Sequence, residues 1–495
     1  ACAATYGEKV TIDQLKSGEV AYKLQAGRDT QMWGQTLGTD NEPLPTGNGT
    51  KRVHKVDFTY NNQVNATRYA THDNAIYGSL PATAKEIMGS DYNEHHYYTG
   101  ISFEDFSAST TVDSDLTVRV IINENDYYAI ASKENWKEFR DLVNNGHTKL
   151  DAKMTRDVDL GDEIVIVGGR KNYSGIFDGQ GHTLTLNWNA GSGHWKSPFY
   201  TVENATIENL RVKGQIKSKG KGHTGLIQNA YGTVTVSGCV SDVDITCVDN
   251  VDECSAAGMI QWVGSDVKVN FNDCLVKGSI NATTEKGTKG MAGFVYDQKG
   301  KCTLTNCLYI GTNNATTGSN TFAKNATLTN CYYLNACGTA QGKQVTKDQL
   351  KNGDVARLLQ SNRNTQFWGQ QLRTDDEPQL TDDAAKRVHE VKFSYNGNVV
   401  ATRYATHGKA IYGALPTEPD LLGTLYDPAK NYALTFEGGF NTGTAVDRDR
   451  TVAVTILVSN NFEIATKDDW KEFCRLVNSG KTKLDAKMIK DVDLE

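Results

Sequence analysis

Apolar and polar positions alternate with period two through the middle of the chain. The pattern recurs in "ATIENLRVKGQI" (205–216), "TVTVSGCVSDVDI" (233–245), "VKVNFNDCLVKGSI" (267–280), "CTLTNCLYIG" (302–311) and "ATLTNCYYLN" (326–335). Aligned on one another, these put Leu210, Cys239, Cys274, Cys307 and Cys331 at one position, with spacings of 29, 35, 33 and 24 residues. Short strands recurring this way, none able to bury its apolar face alone, predict the coils of a solenoid. Coils stacked at about 4.8 Å would set Cys239, Cys274, Cys307 and Cys331 in single file in the core. Asn306 and Asn330, just before the ladder position, predict stacked side-chain amides at the turns. Between the rungs, "TGLIQ" (224–228), "AGMIQ" (257–261) and "AGFVY" (292–296) predict the corner and second strand of each coil.

Two other patterns flank this segment. "SKENWKEFRDLVNNG" (132–146) has Ser132 as N-cap, Trp136, Phe139, Leu142 and Val143 on one face and Gly146 as stop, which predicts a helix covering the open end of the core. "VTIDQLKSGEVAYKLQ" (10–25) offers Thr11 and Gln14 as a capping box, with Leu15, Val20 and Leu24 as anchors and Trp33 beyond. Its second copy follows the last rung, Cys331, and is expected to seal the other end. Residues 51–125 and 386–458 alternate as short strands of a small β module.

These flanks repeat. Residues 1–81 align with 336–416 at an offset of 335, and 132–146 align with 466–480 at an offset of 334. The chain is about one and a half copies of one unit, and the expected register is that of a piece of a longer tandem array. The domains then read as follows: 1–50, the closing segment of a preceding unit; 51–125, the small β module; 126–340, the helix-capped solenoid. A second closing segment spans 341–385 (repeating 6–50), a second β module 386–458, and the start of another solenoid 459–495, where "TKLDAKMIKDVDLE" echoes "TKLDAKMTRDVDLG" (148–161).

"FDGQGHTLTL" (177–186), "SPFYTVENATIENL" (197–210) and the "GLIQ", "GMIQ" and "GFVY" turns resemble the GLUG-motif β-solenoids of Bacteroidetes surface proteins. The resemblance covers about 155–335 and implies a right-handed parallel β-helix. Residues 51–125 and 386–458 resemble the β-grasp-like internalin-type B-repeats, the Listeria–Bacteroides repeat. "YALTFEGGF" (432–440) stands where that family has GYxFxGW, without the Gly and Trp. The expected fold is mainly β: a right-handed parallel β-helix flanked by small β-grasp-like or β-sandwich modules with short capping helices.

Composition narrows the function classes. Eight Pro against 46 Gly fits a turn-rich β protein, and a net charge of −7 without a basic patch argues against nucleic acid. No apolar run approaches the ~20 residues of a membrane span. The opening "ACAATYGEKV" lacks a charged and an apolar leader region, as after removal of a secretion signal or in an excerpt.

Candidate chemistry is sparse. The ten cysteines match no zinc spacing, since the close pairs are five, six and seven apart. Cys247 with Cys254, and Cys337 with Cys302 or Cys331, are the disulfide candidates. Asp242, Asp244, Asp249 and Asp252, with Glu253, are oxygen donors of the kind Ca²⁺ takes. They, or Asp157, Asp159, Asp162 and Glu163, would serve glycoside hydrolysis only across a cleft. Alternation makes a solvated wall the plainer use. His54/His389 and His72/His407, near Arg68/Arg403, are anion candidates, His182 is an isolated one, and Trp188, Trp195 and Trp262 would stack on sugars if exposed. No catalytic constellation and no cofactor requirement emerges.

The function expected is a non-catalytic extracellular repeat protein, a stalk, adhesin or filament subunit on a bacterial surface. Its partners would be neighbouring copies of the unit, with host glycans or surface proteins as further classes. The alternatives are a polysaccharide-active β-helix lyase or hydrolase, or a carbohydrate-binding module.

Overall fold

The computed structural model describes residues 7–248 and 252–495. The chain divides into two compact units, residues 1–129 with 149–153 and residues 130–148 with 154–495. It is mainly β, and its large sheets pair in parallel.

In the second unit the chain visits three parallel walls in a fixed cyclic order, an arrangement compatible with a β-helix. The first wall carries Thr183–Asn189, Arg211–Ser218, Val240–Cys247, Leu275–Val276, Leu308–Tyr309 and Tyr332–Tyr333. The second carries Phe199–Glu203, Ile227–Tyr231, Ile260–Val263 and Val295–Gln298. The third carries Ile176–Asp178, Thr206–Glu208, Thr233–Ser237, Lys268–Asn272, Lys301–Thr305 and Thr327–Thr329. Parallel strands need crossover connections, and here each crossover is the rest of a coil. Ile207, Val234, Val236, Phe271, Phe294 and Leu304 fill the interior and are fully buried.

Two backbone devices hold the coils in register. At the corner into the first wall, Asn209, Gly238, Asp273, Asn306 and Asn330 all have φ between 51° and 61°. Only Gly, Asn and Asp visit that region cheaply, and they alone occupy the row. At the corner into the second wall, a Cβ on Gly258 would lie 2.2 Å from the Gly293 carbonyl oxygen and 2.5 Å from Val276 Cγ1; one on Gly293 would lie 2.1 Å from the Thr321 oxygen. The glycine of "GLIQ", "GMIQ" and "GFVY" is there because the next coil leaves no room for a side chain.

The helix Lys133–Asn144 is capped by Ser132 and buries Trp136, Phe139 and Val143. Trp136 meets Phe177 and Phe199 edge-on, and its indole N–H donates to the Val165 carbonyl at 3.2 Å. In the corresponding helix Lys467–Asn478 no residue is buried.

Each unit also holds two short helices, Ile12–Ser17 and Glu19–Gln25 in the first, Lys347–Asn352 and Asp354–Gln360 in the second. The expected capping box is present in both, at Thr11/Gln14 and Thr346/Gln349. The helices are joined through Gly18 or Gly353 at φ 93° and 95°. Beyond them lies a mixed four-stranded sheet. In the first unit its order is Gln63–Thr71, Val53–Tyr60, Leu116–Asn125, Tyr97–Phe103, with Val53–Tyr60 parallel to Leu116–Asn125 and antiparallel to Gln63–Thr71. Val56, Phe58, Ile87, Val118 and Val120 form its core, and Val391, Phe393, Leu421, Val452 and Val454 repeat that core in the second unit.

One placement differs from expectation. The helices Lys347–Asn352 and Asp354–Gln360 do not seal the end of the solenoid; they lie along the outer face of its first wall. Ser241, Val276 and Tyr309 face inward, against Gly225, Gly258 and Gly293. Their neighbours Val240, Leu275, Leu308 and Tyr332, in register on consecutive strands, therefore face outward. That outward row is apolar, and Leu350, Val355, Leu359 and Trp368 pack on it.

Candidate functional site

The most elaborate constellation in the second unit is this contact between wall and two-helix segment. Its centre is apolar: Leu275, Leu308, Val355, Leu359 and Trp368 are each at most 1% exposed. Beside it sits Asp273, one member of the left-handed corner row and only 6% exposed. Its two carboxylate oxygens accept from both terminal nitrogens of Arg363 at 2.8 Å, and Oδ1 also accepts the Trp368 indole N–H at 2.8 Å. A fork-on-fork pair combined with an indole donor fixes position and angle together.

Further polar contacts ring the apolar patch. Arg211 donates to the Leu380 carbonyl at 2.8 Å, and Lys277 bridges Asp242 (3.5 Å) and Glu377 (3.1 Å). Burial pushes the Lys277 pKa down, but the two carboxylates outweigh it and the net shift is upward. The Asn330 amide donates to Asn306 Oδ1 and to the Leu358 carbonyl, both at 2.8 Å, so the amide stack of the turns extends into the contact.

The two-helix segment is organised from within. Gln360 Nε2 donates to the carbonyls of Arg363 and Thr365, and its Oε1 accepts from the backbone of Phe367 and Trp368. Gln370 ties the Leu350 and Asp375 carbonyls together. The first unit repeats every one of these bonds with Gln25 and Gln35. Its face is shaped alike but lies open: Leu24 is 39% exposed where Leu359 is 0%, Leu15, Val20 and Trp33 are only partly buried, and Arg28 is exposed.

Cys239, Cys274, Cys307 and Cys331 are all buried free thiols. Each Sγ lies 3.3–3.9 Å from a carbonyl of the preceding coil, that of Ile207, Val236, Phe271 or Leu304 respectively. Burial pushes the Cys239 and Cys307 thiols well up. Cys247 and Cys254 form a disulfide. Cys302 and Cys337 do not; both are buried free thiols, pushed by burial up to about 12. Cys302 belongs to a third-wall strand in register with Val269, whereas the Cys337 thiol meets the Tyr309 hydroxyl beyond the first wall.

The carboxylates proposed for calcium are engaged separately. Asp242 pairs with Lys277, Asp244 accepts from the backbone and hydroxyl of Ser279, and Asp252 lies 4.0 Å from Lys286. Asp249 lies outside the described residues. Among the described residues no group of three or more His, Cys, Asp or Glu side chains is placed to hold a metal ion. Strand alternation explains this: Asp242 and Asp244 point out of the wall, toward partners on the next coil. Glu163 binds Lys133 and Lys137, which hold its carboxyl down at about 2, and Asp157 binds His182 and the Thr183 backbone.

The recurring histidines pair with each other, not with arginine. His54 Nε2 lies 3.0 Å from His72 Nδ1, and His389 and His407 repeat that distance. Arg68 binds Glu86 and the Ser79 carbonyl instead, and Arg403 binds Asp420 and the Ala414 carbonyl. Of the three tryptophans, Trp188 is buried, Trp262 partly buried and Trp195 49% exposed.

Asp273 and Arg363 were not singled out from sequence. The available signal was that Asp273 breaks a row otherwise made of Asn and Gly, and that Arg and Trp recur at 28/363 and 33/368.

No family model matches the chain, and no curated protein matches it. Among solved structures, it is similar to the crystal structure of a "putative immunoglobulin A1 protease" from Bacteroides ovatus. The two are 14% identical, the match covers 52% of this chain and 92% of that one, and the TM-score is 0.35. Among the described residues no helix is long and apolar enough to cross a membrane.

Proposed function

We propose that the chain is a non-catalytic extracellular repeat protein, a stalk, adhesin or filament subunit of a bacterial surface, in which each solenoid holds the two-helix segment that follows it through a contact of the kind made at Asp273. One observation carries this reading. The same internally braced two-helix face is buried against a solenoid wall in one copy and lies open in the other, with the Arg and Trp that grip Asp273 present in both. A face that recurs with the same internal bracing and the same gripping Arg and Trp suits a joint used once per repeat. The corners at Gly225, Gly258 and Gly293 support a GLUG-type right-handed β-helix, with the helix Lys133–Asn144 as its cap. The mixed sheet supports a β-grasp-like module between solenoids. In this role the solenoid supplies rigid length and the tandem copies supply multivalency.

Whole-cell labelling of the source organism with antibody against this chain, with sequencing of the gene on both sides, tests the assignment. Labelling of intact cells together with further units in the gene is the expected result. Labelling only after lysis would overturn the surface role, and a gene without further units would overturn the array.

A further inference from the structure

The second wall carries a feature that the joint does not use. Between Trp195, Tyr200, Gln228, Asn229, Tyr231, Gln261 and Trp262 lies an open cavity of about 310 Å³. Small-ligand sites begin at roughly this size. Its lining is aromatic rings and carboxamides, with no ionisable acid or base apart from the tyrosine phenols.

Three independent observations mark it as built. Trp195 is half exposed and sits at φ 55°, a conformation that a bulky residue adopts only when its surroundings impose it. Its backbone N–H is fixed on the Lys221 carbonyl at 3.0 Å, and its ring lies on Gly222, where a Cβ would come within 2.5 Å of Trp195 Cδ1. The parallel register brings a second aromatic group alongside: Asn229 pairs with Trp262, whose ring meets Tyr231 at 5.2 Å. Finally, Gln228 is 1% exposed, yet both its amide oxygen and its amide nitrogen lack a protein partner. A buried carboxamide costs free energy unless something supplies a donor and an acceptor.

We infer that this cavity binds a neutral hexopyranose unit of a glycan. One face of such a ring presents C–H groups, which suit the negative face of an indole. Its edge presents adjacent hydroxyls, each both donor and acceptor, which match the free ends of Gln228 with Asn229 and Gln261 nearby. The absence of charge among the lining side chains selects neutral over acidic sugars. Coils stacked along the wall leave the cavity open at the surface, so a residue within a polymer fits as well as a free sugar. The inference stands apart from the joint: it uses a different wall and none of the joint's residues.

Affinity electrophoresis of the full chain tests it, in gels containing galactomannan or mixed-linkage β-glucan as neutral hexopyranose polymers and polygalacturonate as the acidic one. Retardation by at least one neutral polymer is expected, weakened about tenfold or more in Trp195→Ala and in Trp262→Ala. Trp195→Phe, which keeps a ring, should retain most of the retardation. Trp195→Ala removes a half-exposed ring, and an unchanged thermal melt confirms that the variant is folded; should either Ala variant fail to fold, the other carries the readout. No retardation by any neutral polymer, retardation by polygalacturonate alone, or retardation unchanged in the folded Ala variants would each overturn the assignment.

Discussion

Removing the Asp273 carboxylate should open the joint without unfolding the solenoid. In Asp273→Ala the Arg363 guanidinium loses both bonds to the carboxylate, keeping those to the Gln360 and Leu359 carbonyls, and the Trp368 indole N–H, on a side chain that is 0% exposed, loses its acceptor. Charged hydrogen bonds contribute about 1.5–3 kcal/mol and an orphaned buried donor costs about 1–3 kcal/mol. Arg363 keeps 27% side-chain exposure, so water recovers part of the loss. Alanine at a left-handed φ of 52° adds strain of roughly 1 kcal/mol. We therefore expect about 2–4 kcal/mol for Asp273→Ala, and about 1–2 kcal/mol for Asp273→Asn, which keeps the backbone preference and an acceptor for the indole. Because a repeat protein opens locally, the readout is amide hydrogen exchange in Asp354–Gln360. Protection there should fall roughly thirtyfold to a thousandfold in Asp273→Ala while the amides of Val240–Cys247 stay slow. A double-mutant cycle with Arg363→Met should give a coupling of about 1.5–3 kcal/mol. Coupling below about 0.5 kcal/mol, or equal loss of protection in both segments, would refute the reasoning.

Other expectations follow from the same packing. Thiol reagents should leave Cys239, Cys274, Cys307 and Cys331 unlabelled in the native protein, since all four are buried, while the partly exposed Cys474 reacts before them; mass spectrometry of tryptic peptides reads this, and prompt labelling of the four would contradict the stacked register. Gly258→Ala should destabilise by about 3 kcal/mol or more, because its Cβ would lie 2.2 Å from the backbone oxygen of Gly293; denaturant unfolding checks it, and a neutral result would refute the corner argument. His223 is 0% exposed, and burial pushes it down to about 4 from its ordinary 6.5. Its folded form resists a proton that the unfolded chain accepts, so no penalty exists above pH 6.5, and stability is lost as pH falls from there toward 4. The difference in pH dependence between the native chain and His223→Gln, followed by thermal melts, should amount to about 2–4 kcal/mol across that window. Parallel curves would refute it.

The solenoid was legible because two independent signals coincide at each rung. Period-two alternation marked the strands, and the shared position of Leu210, Cys239, Cys274, Cys307 and Cys331 marked their register, with Asn306 and Asn330 before it as turn residues; the positive φ of the whole row is a finding of the structure. The helix Lys133–Asn144 was legible from its capping serine and its single apolar face. The docking surface of the two-helix segment was not, because the end of a solenoid and its flank both offer apolar area. A clue was present in "CLV" (274–276), "CLYI" (307–310) and "CYYL" (331–334): consecutive apolar residues break the alternation, as strands buried on both faces do. The fate of individual charges was illegible for a different reason. Asp273, Asp242 and Asp244 look alike in sequence, and only the stacking of coils decides which meets Arg363, which Lys277 and which Ser279. The Trp195 platform likewise depends on a loop, a glycine and a strand register that lie far apart in sequence.

The central claim is that one joint is used again wherever the two-helix segment occurs. Extending the chain in repeat register, by placing a further copy of residues 126–335 ahead of residue 1, tests it directly. Hydrogen exchange of Glu19–Gln25 should then slow to the level of Asp354–Gln360, and Asp273→Ala in the added copy alone should reverse the change. Exchange in Glu19–Gln25 that stays as fast as in the unextended chain, with the added solenoid folded, would contradict the account.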